Sequence, residues 1–314
     1  MIAVTGGSGF VGRKLVSALV ERGHKVRVLS RSARESDNPS VEFAAVDYAD
    51  VNYITAALEG CDTVYHLAAA IFAYNYAGFE KANVKTARTL VSACNRSGVR
   101  RVIMVSSLAA AGFSPDPSKP RVETDAPAPA SDYGITKLGA ERELDKLRKE
   151  IQRTVFRPPI VYGKNDSGVS KIASWVKRGL MVNTADPNAY FSFIYVDDLV
   201  DALCASLEKK ETYGQTYFVC EEKNYTWTNF INMMAAKMGR EKVKLISAPL
   251  WLLKTVAFFY ETAARIFGFE PALNYDKIKE AVVPGHWICS PAKWVALTGQ
   301  KFTPLEQGLE KSFK

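Results

Sequence analysis

Cysteine and histidine are scarce in this sequence, and neither residue type clusters. Its 314 residues include five cysteines and three histidines, with no CxxC pair and no HxxxH spacing. A secreted disulfide framework needs an even, clustered set of cysteines, and a metal site needs grouped ligands. We therefore expect a cytoplasmic protein with reduced thiols and no metal. The cysteines are Cys61, Cys94, Cys204, Cys220 and Cys289.

Other absences narrow the class of protein further. No GxSxG motif is present, so a serine-hydrolase site is not expected. The 20 glycines and 14 prolines are scattered, which excludes a collagenous or low-complexity chain. Residues 2–5 already read as a strand, so we expect no signal peptide. With 47% hydrophobic and 24% charged residues, the composition is that of a globular protein.

The net charge of +8 suits an anionic ligand, a nucleic acid or a membrane surface. The densest basic stretch, residues 142–153, alternates with acidic residues, as on a solvated helix face. Because no nucleic-acid recognition motif accompanies the charge, we expect a small-molecule substrate and no nucleic acid.

Strand-like and helix-like segments alternate through the first 160 residues. This pattern predicts an α/β fold, a Rossmann-type doubly wound parallel sheet with helices on both faces. The later segments are shorter and punctuated by proline, which predicts a smaller C-terminal α/β substrate lobe over the carboxyl edge of the sheet. We assign residues 1–160, with segments near 195–220, to a dinucleotide-binding domain, and residues 161–314 mostly to the substrate lobe. The predicted strands span residues 2–5, 25–30, 41–46, 63–67, 102–105 and 154–156, and the helices 13–23, 79–97 and 131–150.

A glycine-rich turn follows the first predicted strand. Gly6, Gly9 and Gly12 lie in the segment TGGSGFVG, just before a predicted helix. Glycines let the backbone approach a pyrophosphate, and the helix N-terminus offers free N–H groups to that anion. The segment predicts a dinucleotide site, with a turn that binds nothing as the alternative.

The end of the second predicted strand indicates which cofactor binds. NAD sites usually place a carboxylate there to bond the ribose 2′-hydroxyl, whereas this chain has Ser30 and Arg31. A guanidinium can bind a 2′-phosphate in a fork. We predict NADP(H) rather than NAD(H); the alternative is that Arg31 points to solvent or stacks on the adenine.

A third motif combines a tyrosine, a lysine and a serine. Tyr133 and Lys137 are four residues apart on a predicted helix, and Ser107 ends a predicted strand. An ammonium beside a phenol lowers the pKa of the phenol, so Tyr133 could exchange a proton with a substrate oxygen that Ser107 also holds. The YxxxK spacing alone is weak, because helices contain it by chance.

Together these motifs resemble the extended branch of the short-chain dehydrogenase/reductase family. That branch includes NAD(P)-dependent sugar epimerases and dehydratases, dihydroflavonol-type reductases and 3β-hydroxysteroid dehydrogenases. The resemblance covers most of the chain through seven ordered matches: TGGSGFVG from Thr5, DY at Asp47, HLAA at His66, NVK at Asn83, VSS at Val105, RPPIVYG at Arg157 and YVDDL at Tyr195.

The resemblance implies a role for each matched residue. Tyr133 would be the general acid/base, Lys137 would bind the nicotinamide ribose and lower the pKa of Tyr133, and Ser107 rather than Ser106 would align the carbonyl. It also implies a homodimer through helices 79–97 and 131–150. The implied cofactor-binding residues are Gly6, Gly9, Phe10, Val11 and Gly12 for the pyrophosphate, Asp47 and Tyr48 for the adenine, Leu67, Ala68 and Ala69 for its ribose, Asn83 in the central helix, and Pro158, Ile160 and Val161 for the carboxamide.

Two departures from the family pattern bear on the substrate. Nucleotide-sugar members usually read VYGPRQ where this chain reads VYGKND, and they carry an arginine where it reads NAYFSF. Without those diphosphate-binding arginines we expect a largely apolar substrate. Tyr190 and Phe191 would suit it, although core packing explains them equally well.

Residues 249–267 read as an apolar helix with Lys254, Glu261 and Arg265 on one narrow stripe. Three charges argue against a membrane-spanning helix. The alternatives are a core or dimer-contact helix, a lid over an apolar substrate, and a peripheral membrane contact.

We therefore predict an NADP-dependent oxidoreductase that transfers a hydride between nicotinamide and a ketone, aldehyde or secondary alcohol of a largely apolar small molecule. A nucleotide-sugar epimerase or dehydratase with retained NAD(P) is the first alternative. A non-enzymatic redox-sensing module is the second, and the Ser107, Tyr133 and Lys137 set argues against it.

Overall fold

The computed structural model describes residues 1–32, 34–183, 186–241, 243–268, 271 and 274–313. The strands are β1 (Ile2–Thr5), β2 (Val26–Ser30), β3 (Val41–Ala45), β4 (Thr63–His66), β5 (Arg101–Val105), β6 (Gln152–Arg157), β7 (Ile160–Tyr162), β8 (Leu180–Asn183), β9 (Tyr190–Phe191), β10 (Phe193–Tyr195), β11 (Gln215–Phe218), β12 (Tyr225–Thr226) and β13 (Lys244–Ser247).

The helices are α1 (Phe10–Glu21), α2 (Val51–Ala57), α3 (Tyr76–Phe79), α4 (Thr86–Cys94), α5 (Leu108–Ala111), α6 (Asp132–Glu143), α7 (Ser167–Lys177), α8 (Val196–Glu208), α9 (Trp227–Lys237), α10 (Leu250–Phe267), α11 (Tyr275–Ala281), α12 (Ala292–Thr298) and α13 (Leu305–Phe313). A π-helical segment (Glu80–Lys85) joins α3 to α4, and 3₁₀ turns follow α6 (Leu144–Lys146) and α8 (Lys210–Thr212).

Seven parallel strands form the central sheet in the order β11-β6-β5-β4-β1-β2-β3. Strand β1 is buried at all four positions, as expected for a parallel strand covered on both faces. Leu90 of α4 packs against one face, and Leu15 of α1 and Leu203 of α8 pack against the other. The predicted doubly wound α/β fold is confirmed.

Smaller paired strands build the region beyond the sheet. Strand β7 pairs with β10, β8 pairs with β13, and β9 pairs antiparallel with β12. Aromatic side chains fill its core; the rings of Phe193 and Phe230 stack with their centroids 4.8 Å apart. This packing fixes β7 and β10 beside the carboxyl edge of the sheet.

Two of the predicted helices differ from the observed ones. The predicted helix over 79–97 contains the π-helical segment 80–85, and the predicted helix over 131–150 leaves the α conformation after Glu143. Beyond that point, Asn95 donates to the Lys146 carbonyl and accepts from the Arg148 N–H, each at 2.9 Å. These tertiary hydrogen bonds replace the helical ones, which the charge pattern of the segment could not predict.

Helix α10 corresponds to the predicted apolar helix over 249–267, but it is not a core helix. Only Leu253, Ala257 and Ala264 are buried, and most of its other side chains are exposed. Within the described part of the chain, no helix is both long and apolar enough to span a bilayer.

Candidate active site

The carboxyl ends of the central strands meet at one edge of the sheet. Thr5 at the end of β1 pairs with Leu29 of β2 and with His66 at the end of β4, and His66 pairs with Met104 of β5. Ligands of doubly wound sheets bind outside this edge. The register therefore brings the segments that follow β1, β2, β4 and β5 to one place.

The glycine loop between β1 and α1 leaves no room for side chains. A Cβ on Gly12 would lie 2.1 Å from the Gly6 carbonyl oxygen, and a Cβ on Gly6, whose φ is +71°, would lie 2.7 Å from the Ala68 nitrogen. Gly9 precedes α1 without a side-chain cap, and the first turn of α1 has no acidic residue. First-turn N–H groups such as those of Phe10 and Val11 have no partner within the helix. The loop therefore fits the pyrophosphate of a dinucleotide.

A buried threonine and histidine support this loop from β1 and β4. The Thr5 hydroxyl and His66 Nδ1 are hydrogen-bonded at 2.8 Å, and the Ala68 N–H donates to Thr5 Oγ1 at 3.1 Å. Burial, assisted by the charge of Lys137, lowers the pKa of His66 to about 3, so the ring is neutral near pH 7. Sequence reasoning missed this pair, although both residues end strands. The pair fixes the course of Leu67, Ala68 and Ala69.

The predicted adenine side of the site lies beyond β2 and β3. The buried Ser30 hydroxyl donates to the Ser32 carbonyl, whereas Arg31 is exposed. Asp47 is exposed and accepts from the Ala49 N–H at 2.8 Å, and the Tyr48 hydroxyl donates to Leu29 O at 2.7 Å.

Tyr48 also lies near the glycine loop. Burial raises the pKa of Tyr48 to about 12, while the Gly6 N–H and the charge of Arg31 lower it. The phenol is hydrogen-bonded to Leu29, which pairs with Thr5 at the end of β1, the strand that leads into the glycine loop.

Asn83 connects the segment after β4 to helix α6. Its side-chain oxygen accepts from the Ala70 N–H at 2.8 Å, and its NH₂ donates to Ala70 O at 3.3 Å and to Thr136 Oγ1 at 3.1 Å. Through these hydrogen bonds the side-chain amide of Asn83 links Ala70 to Thr136. Asn83 therefore positions α6 relative to the cofactor side of the sheet.

Ser107, Tyr133 and Lys137 converge after β5. Ser107 caps α5 by accepting from the Ala109 N–H at 3.1 Å, and its side chain also lowers the pKa of Tyr133. Lys137 is buried, and its Nζ donates to the Val105 carbonyl at 2.9 Å. The structure thus brings together the three residues that the sequence selected as catalytic candidates.

The pKa values of these groups differ from the expectation. Burial raises the pKa of Tyr133 to about 12, although its hydrogen bond with Ser107 lowers it. Burial also lowers the pKa of Lys137 to about 8, against the charge of Glu141. The expected lowering of the tyrosine pKa by Lys137 is not observed, because desolvation dominates at this site.

Helix α11 holds the N-terminus of α6, a contact that sequence reasoning missed. The Asp276 carboxylate accepts from the N–H groups of Asp132 and Tyr133 at 2.7 and 3.1 Å. Ser131 donates its hydroxyl to Glu280 at 2.6 Å, and Lys279 pairs with Asp132 at 2.9 Å. Asp276 and Glu280 are four residues apart and share a helix face. Their spacing did not predict that α6 is the helix they contact.

Glu280 is the titratable residue of this contact. Burial raises the pKa of Glu280 to about 7, although the Ser131 hydrogen bond lowers it. Its negative charge in turn raises the pKa of Tyr133. A carboxyl group with a raised pKa therefore acts on the phenol.

The segment after β6 faces the same edge of the sheet. The Leu108 N–H donates to the Pro158 carbonyl at 2.9 Å, and Ile160 and Val161 are partly buried in β7. Just before it, the buried Arg157 makes a two-pronged ion pair with Glu141 of α6 at 3.0 and 2.6 Å. The helix that carries Tyr133 is thereby anchored to β6.

Comparison with known proteins identifies several relatives. The uncharacterized protein y4nG of Sinorhizobium fredii is 32% identical over 212 residues, 66% of this chain; the match spans about half of that protein, 53%. Sterol demethylase protein B of Methylococcus capsulatus is 30% identical over 291 residues, 88% of this chain and 86% of that protein. Ceramide reductase of Caulobacter vibrioides is 28% identical over 255 residues, 79% of this chain and 74% of that protein.

Solved structures and a family model agree with this assignment of fold. A UDP-glucose 4-epimerase of Thermotoga maritima, solved with UDP-glucose, has a TM-score of 0.78 and 23% identity, and the match covers 99% of this chain and 96% of that one. The model of the NAD-dependent epimerase/dehydratase family matches residues 2–220. The chain therefore belongs to the NAD-dependent epimerase/dehydratase family, whose members are nicotinamide-dependent enzymes of the extended short-chain dehydrogenase/reductase type.

Proposed function

We propose that this protein is an NADP-dependent reductase or dehydrogenase that acts on a ketone, aldehyde or secondary alcohol of a largely apolar small molecule. One observation carries the proposal: Ser107 follows β5, and Lys137, one helix turn from Tyr133, donates to the Val105 carbonyl at the end of β5, the same sheet edge as the glycine loop. Arg31, in place of a carboxylate after β2, favours a cofactor with a 2′-phosphate.

Tyr133 and Ser107 have different roles in the proposed reaction. The bound nicotinamide would supply or accept the hydride at the substrate carbon. The phenol of Tyr133 gives its proton to the substrate oxygen in reduction, or takes it back in oxidation, while Ser107 donates a hydrogen bond to that oxygen. Because burial raises the pKa of Tyr133 to about 12, the phenol is protonated near neutral pH, as a general acid requires.

The surroundings of Tyr133 support an apolar substrate. The ring of Phe79 lies 6.1 Å from that of Tyr133, between centroids. The Trp287 indole N–H donates to the carbonyl of Glu280, and its ring lies 6.2 Å from that of Phe113; the N–H···O distance is 3.1 Å. Aromatic side chains in this region favour burial of a ring system or an alkyl chain.

Two further aromatic residues were expected near the pocket wall, and their positions differ. Phe191 is buried, with its ring 5.8 Å from that of Trp227, so core packing explains it. Tyr190 is exposed, with its ring 5.8 Å from that of His286. Of the two, Tyr190 alone remains a candidate for substrate contact.

The names of two relatives point in the same direction. One is a sterol demethylase protein and another a ceramide reductase, and both names refer to lipids. The family also includes epimerases, but the family resemblance implies that nucleotide-sugar members usually carry arginines at the places where this chain reads VYGKND and NAYFSF. A sugar-nucleotide diphosphate would need such cationic donors.

The experiment that tests this function is a substrate panel with each cofactor. The purified protein is mixed with NADPH or NADH and with long-chain ketones, sterol ketones, small water-soluble ketones or UDP- and dTDP-sugars, and cofactor absorbance is followed. We expect net oxidation of NADPH with the apolar ketones. Tyr133→Phe should lower this turnover by about 100-fold or more, with cofactor affinity nearly unchanged. Conversion of a nucleotide sugar without net use of NADPH would establish the epimerase function instead.

A further inference from the structure

Helix α10 displays a broad apolar surface to the outside of the protein. Trp251, Phe259, Ile266 and Phe267 are 68, 66, 71 and 77% exposed. At about 100° per residue, the first three lie opposite the buried face of the helix. Folded proteins rarely expose so many large apolar side chains on one helix unless that surface binds something.

The apolar surface continues onto two other segments. The guanidinium of Arg265 lies 5.0 Å from the centre of the exposed Tyr74 ring, and Glu261 accepts from the N–H of the exposed Tyr275 at 2.7 Å. We call the exposed apolar side chains of α10, together with Tyr74 and Tyr275, the apolar face.

The two threonines on the outward side of α10 are hydrogen-bonded within the helix. Thr255 and Thr262 interrupt the outward side, and their hydroxyls donate to the carbonyls of Trp251 and Phe258, at 2.9 and 2.7 Å. A threonine that bonds the carbonyl four residues back has satisfied its own donor. The hydroxyls of the outward side can therefore leave water without losing their donor bonds.

Charge favours a bilayer over a second copy of the chain as the occupant. The protein carries +8, so two copies repel each other, whereas anionic headgroups attract it. Lys254 is exposed on the flank of α10. Lysine is one of the residue types that membrane-surface helices place at the headgroup level. The 18 residues of α10 extend about 27 Å, enough to lie flat along an interface.

We propose that the apolar face docks this protein onto an anionic lipid bilayer, with α10 lying in the interface. The helix that carries this face lies next to the candidate active site, because its opposite, buried side packs through Leu253 and Ala257 on Ile278 of α11, and Asp276 of α11 accepts from the Tyr133 N–H. If the proposed function is correct, docking presents that site to substrates dissolved in the membrane.

Vesicle flotation of the full chain tests the proposal. The probes are vesicles of phosphatidylglycerol mixed with phosphatidylcholine, and vesicles of phosphatidylcholine alone. We expect binding to the anionic vesicles and weaker binding to the neutral ones. The double variant Trp251→Ser, Phe259→Ser should bind about 100-fold more weakly, since each side chain contributes at least a factor of about 10 when buried. Tyr53→Ser, which removes a 59% exposed aromatic residue from α2, is the matched control and should bind normally.

Further measurements keep the proposal falsifiable. Lys254→Glu, which leaves the packed face intact, should weaken binding to the anionic vesicles only. Thermal unfolding of each variant, and NADPH oxidation with a water-soluble ketone, should remain at the level of the unmodified protein. An unmodified protein that does not float with anionic vesicles, or a double variant that floats as well, overturns the proposal. A dimer that the double variant converts to monomers, without vesicle binding, would make the face a contact between copies. Vesicle binding is measured without substrate, so its result is independent of the NADPH assay. Failure of vesicle binding would overturn the docking proposal, whereas failure of the NADPH assay would overturn the proposed function.

Discussion

Glu280 accepts a hydrogen bond from Ser131 at 2.6 Å, and the same serine oxygen caps α6 by accepting from the Gly134 N–H at 3.0 Å. Tyr133 lies between Ser131 and Gly134 in the chain, and its own N–H donates to the Asp276 carboxylate. Helix α11 thus caps the N-terminus of α6, the helix that carries the Tyr133 phenol. Removing the charge of Glu280 should therefore change the pKa of Tyr133.

Replacing Glu280 with Gln should shift the pH dependence of turnover. The charge of Glu280 raises the pKa of Tyr133, so its removal should lower that pKa and move the tyrosine limb of the pH–rate profile to lower pH. Asp276 and Lys277 also act on Glu280 and are retained in the variant. The measurement is kcat/KM against pH for the oxidation of an alcohol substrate. Lys279→Met, which removes the partner of Asp132, is the control, and an unshifted limb in Glu280→Gln would refute the assignment.

The same variant should change how stability depends on pH. A carboxyl group whose pKa rises from 4.5 to about 7 on folding binds more protons in the folded state, so stability falls as the pH rises between those values. His66 acts in the opposite sense, since its pKa falls from 6.5 to about 3 and its contribution is lost as the pH drops below 6.5. Subtracting the Tm profile of Glu280→Gln from that of the unmodified protein isolates the first contribution. This difference, unmodified minus variant, should fall from pH 5 to pH 7, because only the unmodified protein loses the Glu280 contribution.

Local sequence patterns predicted the parts of the site that lie within single strand–turn–helix units. The glycine loop needs residues 6–12 only, and Tyr133 with Lys137 needs one helix turn, so local spacing proposed them and the family resemblance supported the choice. The approach of Glu280 to Ser131, 149 residues earlier, depends on how the C-terminal region packs. No periodicity in either segment encodes that contact.

The same limit explains the differences in the fold. Strands β1 to β6 of the central sheet overlap the six segments that the sequence predicted as strands. The end of α6 depends instead on Asn95, which binds the backbone of residues 146 and 148 from another helix. The pKa of Tyr133 was likewise set by burial, a property of the whole packed site, rather than by the lysine one turn away.

Replacing Arg31 with Asp should weaken the binding of NADPH much more than that of NADH. The guanidinium after β2 would bond the 2′-phosphate, and a carboxylate there would repel it. Loss of one charge-assisted contact lowers the affinity for NADPH by about 10- to 100-fold. Fluorescence titration of both cofactors measures the effect. Arg96→Asp, which makes the same charge change at an exposed position near the end of α4, should alter neither affinity. Tighter binding of NADH than NADPH by the unmodified protein would reverse the proposed preference.

Replacing Gly12 with Ala should abolish cofactor binding and destabilise the fold. The new Cβ would lie 2.1 Å from the Gly6 carbonyl and 2.7 Å from the Gly7 Cα, and both are backbone atoms that cannot turn aside. Moving them displaces the loop that we assign to the pyrophosphate. Gly98→Ala is the matched control, because a Cβ there meets no atom within 4 Å. Thermal unfolding with and without NADPH should show a lower Tm and no cofactor-induced rise in Gly12→Ala only. An intact cofactor response would mean that the dinucleotide binds elsewhere.

Replacing Glu141 with Gln should strongly destabilise the protein, because it leaves Arg157 buried without its ionic partner. Both side chains are nearly inaccessible, at 7 and 9% exposure. Breaking a buried ion pair by removing one partner costs about 3–5 kcal/mol. The matched control is Asp197→Asn, which breaks the Lys14–Asp197 pair, whose side chains are 33 and 49% exposed; such surface pairs contribute about 0–1 kcal/mol. Urea unfolding gives the free energy of each variant at constant pH. Equal losses in the two variants would show that Glu141 does not anchor α6 to β6 through Arg157, and that other contacts hold Tyr133 in place.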